Sequence, residues 1–465
     1  MSMKNLTLAN IAGVLNGQIK NSEGYDISRE VTCVEIDSRK IQPGGVFIAT
    51  KGEKVDGHTF VESVFEKGAV CAIVEKEGNY PIPYIVVEDS FDALKKIAGF
   101  YRQNLDIPVV GITGSVGKTS TKEFIATVLS EKFCVLKTMG NYNNEVGMPL
   151  TILSIRPEHE IAVVEMGISH FGEMERLASI SRPDTCVITN IGQCHLENLI
   201  DTDGVLKEKT QMLRFMNTRG NVVLNGDDDK LGEVNAPFET KLFHYGFESG
   251  NDITPVEIEE KGFKGTRVTL EVEQNNAQAL VLEANIPLPG RHMVYNAMAA
   301  VRIGLIYGMN TEEIVKGIEA MKATDGRSHV MSVGEYTVID DCYNANPVSM
   351  KAAIDLLKST EGRKVAILGD MFELGQREES MHEEVGRYAA ENGIDVIITI
   401  GKLSSNMYKG AQTGNSPVYY FETKEEAIEE LKEILKPNDT VLVKASHGMQ
   451  LDAIIEWFKG LEDKE

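Results

Sequence analysis

No apolar run in this 465-residue chain approaches the roughly 18–20 residues that a membrane-spanning helix requires. The N-terminus, MSMKNLTLANIAG, has no basic segment followed by an apolar stretch and a small-residue cleavage site, so a cytoplasmic protein is expected. Cysteine is sparse: Cys33, Cys71, Cys134, Cys186, Cys194 and Cys342 are scattered, and no two are spaced as Cys-x-x-Cys. That argues against a disulfide framework or a zinc knuckle and for buried free thiols. Positive charge is scarce too. The 47 Lys and Arg against 70 Asp and Glu leave a formal charge of −23, a field that repels nucleic-acid backbones and anionic membranes. One phosphorylated small ligand remains compatible, because it needs only local donors. Internal repeats and low-complexity segments are also lacking.

What is present is an α/β pattern on a chain too long for one core, so two to four domains are expected. Residues 1–105 mix short apolar runs (46–49, 69–74, 84–87) with Gly-rich turns, as in a small α/β domain. From Pro108 the texture becomes strand (109–112), glycine loop and helix (121–133), with further strands at 161–165, 185–190 and 221–225. Over 253–288 it changes to period-two alternation (Val268, Leu270, Val272, then Leu280, Leu282), which predicts an antiparallel appendage. A helix over 293–307 follows, and Asn310 with Glu313 reads as a helix N-cap with a reciprocal acid. Residues 321–328, containing Thr-Asp-Gly-Arg, read as a hinge. Beyond it, strands (337–340, 364–368, 395–400, 440–444) alternate with helices (349–357, 380–391, 424–435, 451–461), as in a parallel sheet covered on both faces. The expected fold is α/β in three domains: a small N-terminal domain (1–105), a central P-loop ATPase-type domain with a mostly parallel sheet (106–323) and a C-terminal Rossmann-like domain (324–465). The single tryptophan, Trp457, is expected in the core of the last.

The strongest chemical signal is Thr113-Gly114-Ser115-Val116-Gly117-Lys118-Thr119-Ser120. It runs from a strand into a helix, where backbone N–H groups converge on an anion. The glycines let the backbone approach phosphate, Lys118 brings positive charge to the β- and γ-phosphates, and the Thr119 hydroxyl can bind Mg²⁺. A chance glycine turn would not also bring strand, lysine, threonine and helix together. The usual G-x-x-x-x-G-K-[ST] spacing needs glycine at 112, where this chain has Ile112, so the loop is the tighter T-G-x-x-G-K-T.

Together with this loop, Asn141-Tyr-Asn-Asn-Glu-Val-Gly147, Glu165-Met-Gly167 and Thr189-Asn-Ile191 with His195 resemble the Mur ligases. Pro289-Gly-Arg-His292, Asn296-Ala-Met-Ala-Ala300, Asp341-Cys-Tyr-Asn-Ala-Asn-Pro347, Leu368-Gly-Asp-Met-Phe-Glu-Leu-Gly375, Asp37-Ser-Arg39 and Asp56-Gly-His58 extend the resemblance over essentially the whole chain. Within the family, 343–350 and 369–375 are similar to the member that adds D-alanyl-D-alanine to UDP-N-acetylmuramoyl-tripeptide. The Asp-Asn-Pro-Arg signature of the preceding, diaminopimelate-adding member is absent.

The resemblance implies an ATP- and Mg²⁺-dependent amide ligase that first phosphorylates a carboxylate and then lets an amine displace the phosphate. It implies catalytic roles for Lys118, Glu165, His195 and Lys209, and metal-holding roles for Thr119, Glu165, His195 and a carbamylated Lys209. Asn296 would contact adenine, and Arg327 and Asp341 would reach the nucleotide on domain closure. Ser38, Arg39, Asp56 and His58 would grip the UDP-sugar end, Arg39 as a bidentate fork for phosphate. Asn141, Asn144, Asn344 and Asn346 would supply amides to the substrate. The expected partners are UDP-MurNAc-tripeptide and D-alanyl-D-alanine, with no nucleic acid, no membrane span and a monomeric chain. Three alternatives stay open. A folylpolyglutamate-type ligase would share the loop but not the N-terminal Asp-Ser-Arg segment; a P-loop regulatory ATPase would turn over ATP without carboxylate or amine; a non-catalytic nucleotide module would lack Glu165, His195 and Lys209 together.

Overall fold

Val109–Thr113 has four β-branched residues in five positions, all buried. A continuous apolar run of this kind belongs to a parallel strand covered on both faces, and this strand lies inside a nine-stranded sheet. The computed structural model describes residues 2–273, 278–323 and 326–462. Across the central sheet the order is Val135–Lys137, Ile161–Glu165, Val109–Thr113, Thr185–Ile188, Asn221–Asn225 and Lys241–Tyr245, all parallel. Then come Ile253–Glu260, Thr266–Val272 and Leu280–Ile286, antiparallel to one another as the alternation predicts. Residues 274–277 of that stretch lie outside the described residues.

The N-terminal sheet has five strands in the order Ile19–Lys20, Tyr84–Val86, Cys71–Val74, Val46–Ile48 and Val34–Glu35. Only the first pair is antiparallel. The C-terminal sheet runs His329–Val333, Tyr336–Asp341, Thr440–Lys444, Lys364–Gly369, Val396–Ile400 and Val418–Phe421. The four strands expected from the sequence are parallel, as is the edge strand Val418–Phe421, while His329–Val333, a strand the sequence reading did not include, is antiparallel to Tyr336–Asp341.

Two elements here escape the hydrophobic pattern. The edge strand Val418–Phe421 is half-buried to exposed throughout, and the helix Ser404–Ala411 buries Ser404, Met407, Gly410 and Ala411, a face nearly without apolar bulk. Helix starts follow their caps. Asn310 and Glu313 form the expected reciprocal capping box, and Asn346 with Ser349 forms another ahead of Pro347. Trp457 is half-buried, its ring 4.9 Å from that of Phe458. Of the expected hinge, Thr324 and Asp325 lie outside the described residues, while Gly326 and Ser328 both have positive φ.

Candidate active site

Strand order places the chemistry. Val109–Thr113 sits between Ile161–Glu165 and Thr185–Ile188, so three parallel strands end side by side. From their carboxyl ends emerge the glycine loop, Glu165 itself, and the segment leading to His195. Ligands of open parallel sheets bind at such an edge.

The loop is held by its neighbours. The Thr113 hydroxyl donates to the Met166 carbonyl at 2.9 Å, a bond within the sheet rather than toward the cleft. Gly114 has φ +152°, and a Cβ there would collide with the Thr189 hydroxyl. The Val116 N–H donates to Asn190 Oδ1 at 2.9 Å, and the Ser115 hydroxyl accepts from the Gly192 N–H at 2.7 Å. Gly117, at φ +81°, caps a helix that begins at Lys118 rather than at 121. Its first turn therefore carries Lys118, Thr119 and Ser120, all of which line a cleft of about 770 Å³. Lys118 Nζ donates to the Gly114 carbonyl at 2.8 Å, so the charge sits over the loop.

Thr119 and Glu165 are brought together: the hydroxyl donates to Oε1 at 3.2 Å. Asn143 donates to the same oxygen at 2.8 Å, while the Thr138 hydroxyl accepts from the Glu165 N–H at 3.0 Å. Glu165 is 1 % exposed, and its Oε2 has no hydrogen-bond partner. Lys122, one helical turn beyond Lys118 and itself buried, has its ammonium 3.8 Å from that oxygen. Lys209 is 0 % exposed with an unpartnered Nζ, and burial pushes its pKa down to about 8. A buried orphan carboxylate oxygen beside a hydroxyl fits a hard divalent cation. Among the described residues no group of three or more His, Cys, Asp or Glu side chains is assembled as a cage. That suits Mg²⁺, which takes one or two carboxylates plus substrate phosphates and water. An unprotonated buried amine is also the form of lysine that reacts with CO₂ to give a carbamate.

The opposite wall comes from the C-terminal domain. Arg327 reaches the Thr119 hydroxyl at 3.4 Å and lies 4.0 Å over the Tyr343 ring. Asp341 accepts from the Ser328 N–H at 3.0 Å and from the Lys444 ammonium at 2.6 Å. The Asn344 and Asn346 side chains line the cleft, but Asn346 Oδ1 is engaged as a helix cap, accepting from the Ser349 N–H at 2.9 Å. His195 lines the cleft, and its Nδ1 lies against the Glu373 carboxylate of that same wall. Asn296 is buried in the floor, its Oδ1 accepting from the Thr121 hydroxyl at 2.9 Å.

A second cavity of about 970 Å³ lies between the N-terminal and central domains, lined by Ser38, Arg39, Lys40, Met139 and Tyr142 among others. The Arg39 fork is paired with Asp37 at 2.8 and 2.9 Å. Asp56 and His58 do not line this cavity. Asp56 caps its turn and holds His58 Nδ1 at 2.6 Å, and Nε2 accepts from the Glu75 N–H, so both ring nitrogens are used inside the domain. Asn141 is exposed and lines neither cavity, whereas Asn144 lines the cleft and accepts from the Gly147 N–H at 2.8 Å. Sequence reasoning gave no role to Asn143, Lys122, Tyr343 or Glu373, and left open that of Lys444, which here holds Asp341. The signal was partial: three asparagines fall within four residues, and only the fold shows that the middle one meets Glu165.

Three family models match successive parts of the chain: the Mur ligase family catalytic domain over residues 30–112, the Mur ligase middle domain over 112–304, and the Mur ligase glutamate ligase domain over 326–447. The UDP-N-acetylmuramoyl-tripeptide–D-alanyl-D-alanine ligase of Bacillus subtilis is 36% identical over 97% of both chains. The crystal structure of MurF from Acinetobacter baumannii superposes with a TM-score of 0.87 at 31% identity, covering 99% of this chain and 100% of that one. MurF ligase from Thermotoga maritima in complex with ADP superposes at 0.81 with 27% identity, over 93% of this chain and 98% of that one. The chain belongs to the Mur ligase family.

Proposed function

We propose that this enzyme joins the terminal carboxylate of UDP-N-acetylmuramoyl-tripeptide to the amine of D-alanyl-D-alanine, converting ATP to ADP and phosphate. The observation that carries the reading is one cleft in which the glycine loop, the Glu165 carboxylate, His195 and Arg327 from the facing domain converge. Full-length likeness to relatives named for this reaction supports the substrates.

A carboxylate and an amine do not condense in water, so the acid is first activated. A carboxylate oxygen attacks the γ-phosphorus, the bond to the β-bridging oxygen breaks, and ADP leaves. The amine then attacks the acyl carbon, loses a proton, and phosphate departs with its bonding pair. Phosphoryl transfer between two anions asks the protein chiefly to position them and neutralise charge. Lys118 and the N–H groups at the start of helix Lys118–Ser130 do this for the nucleotide phosphates. Thr119 and Glu165, with His195 and a carbamylated Lys209, would hold Mg²⁺, which supplies further charge neutralisation at the transferred group. Arg327 adds positive charge from the C-terminal domain, and Lys444 fixes Asp341 toward the nucleotide. The cavity beside Ser38 and Arg39 suits the UDP-sugar end, with 1–105, 106–323 and 324–465 as the three domains around the reactants.

No helix among the described residues is long and apolar enough to cross a membrane. The reading places a monomeric enzyme in the cytoplasm, in peptidoglycan precursor synthesis and so with a part in cell shape and division; the likeness to relatives named for this reaction supports the pathway. The test is phosphate release from ATP and Mg²⁺ with UDP-MurNAc-tripeptide, with and without D-alanyl-D-alanine. Release that ignores the dipeptide would remove the assignment and favour a regulatory ATPase.

A further inference from the structure

Two non-glycine residues on opposite sides of the cleft occupy the left-handed region and meet there. His195, at φ +53° and ψ +31°, precedes the short helix Leu196–Leu199 of the central domain. Glu373, at φ +64°, lies in the C-terminal segment Gly369-Asp-Met-Phe-Glu-Leu-Gly375. Left-handed backbone is unfavourable for both residue types, and such conformations persist only where the surroundings over-determine them. Here they aim the Glu373 carboxylate at Nδ1 of His195. The segments around the pair are also in contact. A Cβ on Gly375, at φ +64°, would come within 3.3 Å of the Glu197 N and 3.5 Å of the Leu196 carbonyl carbon. The Leu196 side chain packs against apolar clusters of both domains.

We propose that Glu373 is a positioning residue for His195. The carboxylate accepts a hydrogen bond from Nδ1–H, which fixes the tautomer and leaves Nε2 as the nitrogen for a metal ion in the cleft that the ring lines. A ligating imidazole commonly gives its second N–H to a carboxylate, which orients the ring and raises its basicity. Because the carboxylate comes from the C-terminal domain and the imidazole from the central one, His195 is fully oriented only when the two are docked. The inference rests on the reading of His195 as a metal ligand, and its test separates the two.

Mn²⁺ is titrated into the full chain saturated with a non-hydrolysable ATP analogue, with free Mn²⁺ read by electron paramagnetic resonance. Wild type, Glu373→Ala, His195→Ala and the double variant are compared. Glu373 is half-exposed, so its removal leaves the fold intact. Glu373→Ala should weaken Mn²⁺ binding by about tenfold. The double variant should bind no more weakly than His195→Ala alone. Glu373→Gln, whose amide oxygen still accepts from Nδ1, should recover much of the affinity. Wild-type affinity in Glu373→Ala while His195→Ala is weakened would overturn the proposal alone. An equal loss from Glu373→Ala in the His195→Ala background would do the same. Wild-type affinity in His195→Ala would remove the ligand reading and the proposal together.

Discussion

Replacing Lys209 by Met should stabilise the protein while abolishing its activity. The side chain is 0 % exposed and its ammonium has no hydrogen-bond partner, so the charged form is costly in the folded state. Its pKa falls from 10.5 to about 8, chiefly through burial, with Lys118 also lowering it and Cys194 and Glu208 opposing. At about 1.36 kcal/mol per unit, that displacement costs the folded state about 3 kcal/mol at pH 7. The folded state binds fewer protons than the unfolded chain between about pH 8 and 10.5, so wild-type stability rises with pH through that window. Methionine has similar bulk and no charge, and Lys209→Met lacks this dependence. In CO₂-free buffer without metal, calorimetry should show the variant melting about 3–5 °C above wild type at pH 7. By pH 9.5 the gap should shrink by more than half. Added bicarbonate should change the wild-type melting temperature and leave the variant's alone, and it should not restore activity to Lys209→Met. A variant that melts below wild type at pH 7, or a gap equal at both pH values, would refute the reasoning.

Asn143→Ala removes the 2.8 Å bond that holds Glu165 Oε1 and should weaken Mn²⁺ binding by about tenfold without altering ATP-independent folding; unchanged Mn²⁺ affinity would remove Asn143 from the site. Gly114→Ala places a methyl against the Thr189 hydroxyl and forces φ away from +152°, so nucleotide binding measured by calorimetry should fall below detection while the far-ultraviolet dichroism stays native. Asn310→Ala breaks a capping box far from the cleft and should cost about 1 kcal/mol in stability, read by denaturant unfolding, with kcat and KM unchanged.

The central strands and the glycine loop were legible because their signals are local. Val109–Thr113 is continuously apolar, and the glycines, Lys118 and Thr119 follow it directly. The capping asparagine at 310 was legible for the same reason. What escaped depends on contacts distant in sequence. Asn143 meets Glu165 only because Val135–Lys137 pairs with Ile161–Glu165, carrying the segment after it to the same edge. Lys122 read as one more helix lysine until the fold buried it beside the orphan oxygen of Glu165. Asp56 and His58 show the converse: a matched triplet reads as a substrate grip, yet their polar atoms are consumed within their own turn and by the Glu75 N–H. Spacing reveals which donors are near one another, not which have already been spent.

The cores say which wall of the cleft moves. One apolar cluster runs without a break from Met3, Leu6 and Tyr101 of the N-terminal domain to Met148, Leu177 and Leu224 of the central one. Separating those two would expose that shared surface at roughly 25 cal/mol per Å². Tyr101 adds a buried hydrogen bond, its hydroxyl donating to the Ile155 carbonyl at 2.7 Å. The two C-terminal clusters, by contrast, consist wholly of C-terminal residues among their fully buried members, and only partly buried Leu196 and Phe263 pack on them from the central domain. The contacts across that boundary at the cleft are polar: Arg327 to Thr119 and Glu373 to His195. Polar links in a wet cleft break and reform at small net cost. The shared core is therefore expected to keep the second cavity in register with Glu165, and the C-terminal domain, joined at the cleft by Arg327 and Glu373, is the wall expected to move. Nucleotide should accordingly change the distance between labels on the central and C-terminal domains, and leave that between the N-terminal and central domains alone.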